Sequence, residues 1–140
     1  MGKILTIHDI SVGDRAEFSK TITEKEVMIF AEITGDFNPL HVDEAYAKQT
    51  RFGARISHGA LLAGFISTVL GMKLPGTGAL YASQSLKFTK PVFIGDTITA
   101  SAEVIDKIED RNRIVLKTRC INQNGDAVAE GESVLLPSKT

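Results

Sequence analysis

The 140-residue chain carries 16 basic and 17 acidic side chains, and its formal net charge is −1. This balance leaves no basic excess to hold nucleic acid or an anionic membrane, so neither is expected as a partner. Hydrophobic residues make up 43% of the sequence, which suffices for the core of a single domain over residues 1–140.

The few features that report on location favour the cytoplasm. The single cysteine, Cys120, cannot form an internal disulfide and suits a reducing compartment. The N-terminal segment shows no signal peptide, since Lys3-Ile4-Leu5 is followed at once by the polar residues His8 and Asp9, with no long apolar region. The longest apolar segment, Gly59 to Met72, is shorter than the roughly 20 residues that a membrane-spanning helix needs.

The first elements in chain order are a strand and a capped helix. Weak alternation predicts the strand at Arg15 to Ile22. Thr23 and Glu26 form a capping box, in which each side chain can bond the other residue's backbone N–H. Gly35 ends the helix, because glycine tolerates the left-handed conformation. One face of this helix would carry Val27, Phe30, Ala31 and Thr34.

The middle of the chain predicts a loop, a short helix and a buried helix. Asp36 to His41 is expected to be a loop because Pro39 disfavours helix at the residue before it. A short helix is predicted from Asp43 to Gln49, and residues 52–56 connect it to the next element. From Gly59 to Gly71 apolar residues lie nearly all round, which is typical of a buried central helix, and its glycines allow close approach.

The second half of the chain changes to a period of two residues. Asn124-Gly125 is a strong signal for a hairpin between the last two strands. Consecutive strands with short connections form an antiparallel sheet, so the fold class is α+β. The predicted strands are Tyr81 to Phe88, Thr97 to Val104, Ile114 to Cys120 and Ala127 to Leu136.

The residues that can carry chemistry are concentrated between Gly35 and Gly59. Asp36 and His41 lie five positions apart across Pro39, so both can reach one water molecule as a general acid/base pair. A helix that begins at Gly59 would offer backbone N–H groups to an oxyanion. The same residues have a plainer interpretation: Asp36-x-Asn38-Pro39 is also a common turn sequence, and His41 can be a helix cap or a surface imidazole.

This segment resembles the signature of the MaoC-like (R)-specific enoyl-CoA hydratases. The resemblance implies a hot-dog fold, in which an antiparallel sheet wraps around a central buried helix. It also implies syn addition of water to trans-2-enoyl-CoA, giving a (3R)-hydroxyacyl-CoA. The matching positions are Gly35-Asp36, Asn38-Pro39, His41, Asp43, Ala47, Phe52-Gly53, Ile56 and His58-Gly59.

The resemblance also assigns roles within the segment. It implies that Asp36 and His41 are the catalytic dyad, that the backbone N–H of Gly59 is the oxyanion donor, and that Asn38 orients the dyad or the water. It implies a coenzyme A thioester as the substrate, and no cofactor or metal is expected. Members of the family pair as dimers with the coenzyme near the interface, and we expect a homodimer.

Several further residues have two interpretations each. Ser57 is expected to cap the central helix or to contact the substrate. Gly64, Ser67 and Leu70 are candidates to line an acyl slot beside that helix. His58 is expected to be a buried, hydrogen-bonded structural histidine, Asp43 a helix cap and Cys120 a buried thiol. Four basic residues are expected by default to be solvated surface side chains, and the alternative is that they meet the phosphates of coenzyme A: Lys87, Lys90, Arg111 and Arg113.

Two other functions fit a hot-dog domain. An acyl-CoA thioesterase also uses a carboxylate near a helix N-terminus, and it would release free coenzyme A. A non-catalytic module would bind acyl-CoA without turnover. The presence of both Asp36 and His41 favours the hydratase.

Overall fold

The protein has one antiparallel sheet with a single long helix packed against it. The structure, a computed structural model, describes residues 4–140, so the first residues of the segment searched for a signal peptide lie outside it. The helices are α1 (Glu24–Thr34), α2 (Pro39–Val42), α3 (Glu44–Lys48) and α4 (Gly59–Met72), with 3-10 turns at Ile7–Asp9 and Glu109–Arg111. The strands are β1 (Arg15–Thr21), β2 (Leu80–Gln84), β3 (Lys87–Phe88), β4 (Thr97–Ile108), β5 (Arg113–Ile121) and β6 (Ala127–Leu136).

The strands follow the spatial order β1-β4-β5-β6-β2, and β3 pairs with β6. Every pairing is antiparallel, as predicted. The hairpin at Asn124-Gly125 is confirmed, with Gly125 at φ 81° and its N–H bonded to the carbonyl of Asn122. Strand β2 is not a neighbour of the next long strand, β4, because it pairs with β6 at the far edge.

Helix α4 fills the inner side of the sheet and contacts β1, β2, β4 and β5. The alternating face predicted for β4 is buried, and its small residues Ala100 and Ala102 leave room for the helix. Each large side chain buried in this layer contributes about 1.5–3 kcal/mol by leaving water. The expected hot-dog arrangement is therefore confirmed. The buried side chains of α4 are Leu62, Phe65, Ile66, Val69 and Leu70.

Two predicted boundaries are wrong for physical reasons. The strand expected over residues 81–88 breaks between β2 and β3, where the carbonyl of Ser85 lies so close to Gly131 that a Cβ there would be 1.8 Å away. The loop expected at residues 36–41 contains the one-turn helix α2, because proline is favoured at a first helical position and Asn38 accepts a hydrogen bond from Leu40 N–H.

The caps of α1 and α3 agree with the sequence. Glu26 accepts a hydrogen bond from the Thr23 N–H at 2.9 Å, and Gly35 ends α1 at φ 84°. Asp43 caps α3 by accepting from Tyr46 N–H. Within residues 4–140, no helix is long and apolar enough to cross a bilayer.

Candidate active site

The fold brings Asp36, His41 and His58 into one cluster. Their side chains offer donor atoms that all lie within 4.8 Å of one another. Asp36 follows the end of α1, His41 is in α2, and His58 is the residue before α4. Two groups at this separation can both hydrogen-bond to a single water molecule at about 2.8 Å each.

His41 is held in one tautomer by the backbone. Its Nδ1 lies 2.7 Å from the carbonyl oxygen of Ile56, and a carbonyl can only accept, so Nδ1 carries the proton. The lone pair of the neutral ring is therefore on Nε2. Burial lowers the pKa of His41 and is the largest effect; the Ile56 carbonyl raises it, His58 lowers it and the Asp36 carboxylate raises it. The net lowering keeps the imidazole neutral and basic near pH 7.

Asp36 and Asn38 lie on the solvent-exposed side of the cluster. Asp36 Oδ1 accepts a hydrogen bond from the Asn38 N–H at 3.2 Å, while the Asn38 side chain caps α2. The interpretation of these residues as a turn is thus correct locally, because they do shape the bend. The bend leaves the Asp36 carboxylate accessible beside the half-buried His41 ring.

Gly59 is the first residue of α4, and its N–H has no partner within the helix. The ring of Phe88 lies 3.0 Å from the point where a Cβ would stand, so only glycine fits without displacing that ring. A cavity of about 520 Å³ opens beside Gly59. Its apolar wall includes Ile56, Leu62, Phe88 and Val92, and Arg51 and Lys90 supply positive charge. Ile56 connects this cavity to the cluster of Asp36, His41 and His58, since the residue lines the cavity and its carbonyl oxygen binds His41 Nδ1.

The remaining predicted site residues lie elsewhere. Ser57 is buried but does not cap α4: its hydroxyl donates to the carbonyl of His58, which itself occupies the cap position. Of the predicted catalytic and acyl-binding residues, only Gly59 lines this cavity. Asp36, Asn38 and His41 lie outside its wall, as do Ser57, Gly64, Ser67 and Leu70. Of the glycines in α4, Gly59 has a described neighbour within 4 Å of its would-be Cβ position, whereas Gly64 and Gly71 have none within residues 4–140. Cys120 is buried as expected, and burial raises the pKa of its thiol to about 12.

Sequence reasoning missed Arg55. Its Nε donates to the carbonyl of His41 at 2.6 Å, and its Nη1 donates to Glu24 at 2.8 Å. The arginine side chain is 11% exposed. It therefore ties the backbone of α2 to the first turn of α1. Nothing in the sequence pattern marks a lone arginine in a connector, because its partners are 14 and 31 positions away.

The same cluster is the set of side chains that could hold a metal ion. A carboxylate and two imidazoles are ligands that zinc accepts. No metal-ligand spacing is visible in the sequence, because residues 36, 41 and 58 come together only through the fold. Nδ1 of His41 and Nε2 of His58 already face backbone carbonyls, which leaves one nitrogen on each ring.

Comparison with known proteins places the site in a family context. The family model described as "MaoC like domain" matches residues 10–124. The chain is 47% identical to an (R)-specific enoyl-CoA hydratase of Rhodospirillum rubrum over 132 residues, 94% of this chain and 91% of that protein. It is 44% identical to a 3-hydroxybutyryl-CoA dehydratase of Methylorubrum extorquens, over 98% of this chain and 87% of the relative. The unliganded R-hydratase of Pseudomonas aeruginosa superposes with a TM-score of 0.92 at 38% identity, over 96% of this chain and 86% of that one.

Proposed function

The chain belongs to the MaoC-like domain family, and we propose that it is an (R)-specific enoyl-CoA hydratase in which Asp36 and His41 add water to trans-2-enoyl-CoA. The observation that carries the residue assignment is the closeness of the two side chains, whose polar atoms lie within 4.8 Å of each other, together with the lone pair that the His41 tautomer leaves on Nε2. The same groups would catalyse the reverse dehydration.

In the proposed reaction, His41 Nε2 takes a proton from water as the water oxygen bonds to C3 of the substrate. The electrons of the C2–C3 double bond move to the thioester oxygen, which becomes an enolate. The N–H of Gly59 and the positive end of α4 stabilise that charge. When the thioester carbonyl re-forms, C2 takes up on the same face the proton that His41 Nε2 received, and the neutral imidazole is restored. Asp36 holds the second hydrogen of the water throughout, and Asn38 fixes the bend that carries Asp36.

The substrate is proposed to enter the cavity beside Gly59. Its apolar wall suits the acyl chain and the pantetheine arm, and Arg51 and Lys90 suit the phosphates of coenzyme A. Lys90 is also paired with Asp126 at 3.1 Å, with both side chains about half exposed, so the lysine can exchange partners at little cost. Gly64, Ser67, Leu70 and Ser57 remain candidates for contacts with a bound acyl chain.

The reaction is proposed to need no metal or other cofactor, because the protein groups named above supply each proton and the oxyanion contact. Dialysis against EDTA should therefore leave the rate unchanged. An inactivation by EDTA that added zinc reverses would instead assign Asp36, His41 and His58 to a metal.

We also propose a homodimer that forms across the edge strand β2. Leu80 is 63% exposed there, and the strand LYASQ carries no charge. The other edge strand, β1, is protected by charged residues, as natural sheet edges usually are. Leu80→Lys should give a monomer in light scattering after size exclusion, whereas Val12→Lys, at a position 62% exposed outside the sheet, should not. A dimer that survives Leu80→Lys would exclude this edge.

One domain over residues 1–140 and a location in the cytoplasm complete the proposal. The free, buried Cys120 supports the location because it is compatible with a reducing compartment.

The deciding experiment is a crotonyl-CoA assay that follows the loss of enoyl thioester absorbance, with chiral analysis of the product. Asp36→Asn is a matched variant, since the carboxamide oxygen can still accept from the Asn38 N–H. The variant should lose about 10²- to 10⁴-fold in kcat. A loss of less than about tenfold would remove Asp36 from the catalytic dyad. Release of free thiol, detected in parallel, would indicate a thioesterase, and binding without turnover a non-catalytic module.

A further inference from the structure

His58 is the most enclosed member of the cluster. It is 2% exposed, and its Nε2 donates to the backbone carbonyl of Asp36 at 3.0 Å. Because that carbonyl can only accept, the proton of the neutral ring is on Nε2. The other nitrogen, Nδ1, is buried and has no hydrogen-bond partner among the described residues. A buried polar atom without a partner is costly, so its retention calls for an explanation.

The ring of His58 also packs against two other rings. Its centroid lies 4.0 Å from that of His41, with the planes 32° apart. Phe30, on α1, lies 4.8 Å from His58 at 50°. His58 therefore contacts the face of the proposed base, while its edge holds the backbone of the proposed carboxylate residue.

We propose that His58 is a positioning residue that fixes the positions of Asp36 and His41 relative to the N–H of Gly59. This inference rests on the proposed function, because it names what fixes the geometry of that site. His58 is not assigned a proton-transfer step: its Nε2 is occupied by the Asp36 carbonyl, and its Nδ1 is closed off from solvent.

The site needs such a link because its parts come from three separate elements. Among residues 4–140, the other hydrogen bonds of Asp36 are short local contacts: its N–H donates to Thr34 Oγ1 at 3.2 Å, and its Oδ1 accepts from Asn38 N–H. Neither contact relates Asp36 to α4. His58 is covalently next to Gly59, so its bond to the Asp36 carbonyl makes that connection directly. A displacement of about 1 Å between reacting groups can cost on the order of 10²-fold in rate.

Two variants separate the hydrogen bond from the ring packing. His58→Phe keeps a planar ring against His41 and removes the donor to Asp36. His58→Gln keeps a donor at a comparable reach and removes the ring. His8→Gln, at an exposed histidine outside the site, is the matched control and should behave as wild type.

We expect His58→Phe to lower kcat about 10²-fold while KM stays within about threefold, since the loss is of alignment and not of binding. His58→Gln should recover part of the loss. In both variants the acid limb of the kcat/KM profile should move to higher pH, because His58 is one of the groups that lower the pKa of His41. A role in stability alone would leave the kcat of the folded variants within about threefold of wild type.

The outcomes are distinguishable from failure of the proposed function. A wild-type protein that does not hydrate crotonyl-CoA overturns both, whereas an active wild type with His58→Phe within about threefold of its kcat overturns the positioning role alone. Long-range ¹H–¹⁵N spectra of the wild-type imidazoles provide a test that needs no folded variant. They should show His58 protonated at Nε2 and His41 at Nδ1; a neutral His58 protonated at Nδ1 would contradict the inference.

Discussion

Arg55→Met should destabilise the protein through the contact that fixes His41. The arginine Nε donates to the His41 carbonyl at 2.6 Å, and a hydrogen bond from a charged donor is worth about 1.5–3 kcal/mol. The ion pair with Glu24 adds less, about 0–1 kcal/mol, because the glutamate side chain is 68% exposed. Methionine preserves most of the aliphatic packing, so the expected loss in the free energy of unfolding is about 2–4 kcal/mol.

Glu24→Gln is the matched control, since it removes only the ion pair and should cost about 0–1 kcal/mol. Both variants can be measured by urea unfolding with the m value compared to wild type. Arg55→Met should also lower kcat, because the freed α2 backbone carries His41. The reasoning is refuted if Arg55→Met unfolds within about 0.5 kcal/mol of wild type, or if Glu24→Gln costs as much as Arg55→Met.

Three further predictions use other parts of the molecule. Gly131→Ala should cost about 1–3 kcal/mol in urea unfolding, because its Cβ would meet the Ser85 backbone, whereas Gly71→Ala, with open space around it, should not destabilise. The acid limb of the kcat/KM profile should lie below about pH 6.5, since burial lowers the pKa of His41. Because the folded state favours the neutral ring, the stability that His41 contributes should be present above that pH and should decrease as the pH falls. An acid limb above pH 7 would contradict this. Cys120 should not react with a thiol reagent at pH 8 until denaturant is added, because the pKa of its thiol is about 12; fast native reaction would show that the strand face is open.

The parts of the fold that the sequence predicts well are those set by neighbouring residues. The capping box at Thr23, the left-handed Gly35 and the hairpin at Gly125 each depend on contacts within a few positions. The separation of Asp36 and His41 across one bend is local in the same way. These features could be predicted because residues within about five positions of each other in the sequence are also close in space.

The features that sequence reasoning missed depend on contacts between distant segments. The break between β2 and β3 lies against Gly131, more than 40 positions away, where the absence of a side chain leaves room for the Ser85 carbonyl, and no pattern in residues 81–88 signals it. The sequence favours Ser57 as the cap of α4, whereas the helix begins one residue later, after His58. His58 was interpreted correctly as buried and hydrogen-bonded, but its contacts with Asp36 and His41 cross 22 and 17 positions.

Burial decreases from His58 through His41 to Asp36, and this order is consistent with the roles proposed for the three residues. A group that contacts the reacting water must be reachable, and Asp36 is exposed while His41 is half-buried. A group that only holds others in place gains from being rigid, and His58 is enclosed by rings on α1 and α2. Burial of the carboxylate would destabilise its ionised form, because the charge would lose its contact with water. If His58 were more exposed, water would compete with it for the Asp36 carbonyl. The order of the three residues from solvent to core is thus the order that the proposed chemistry requires.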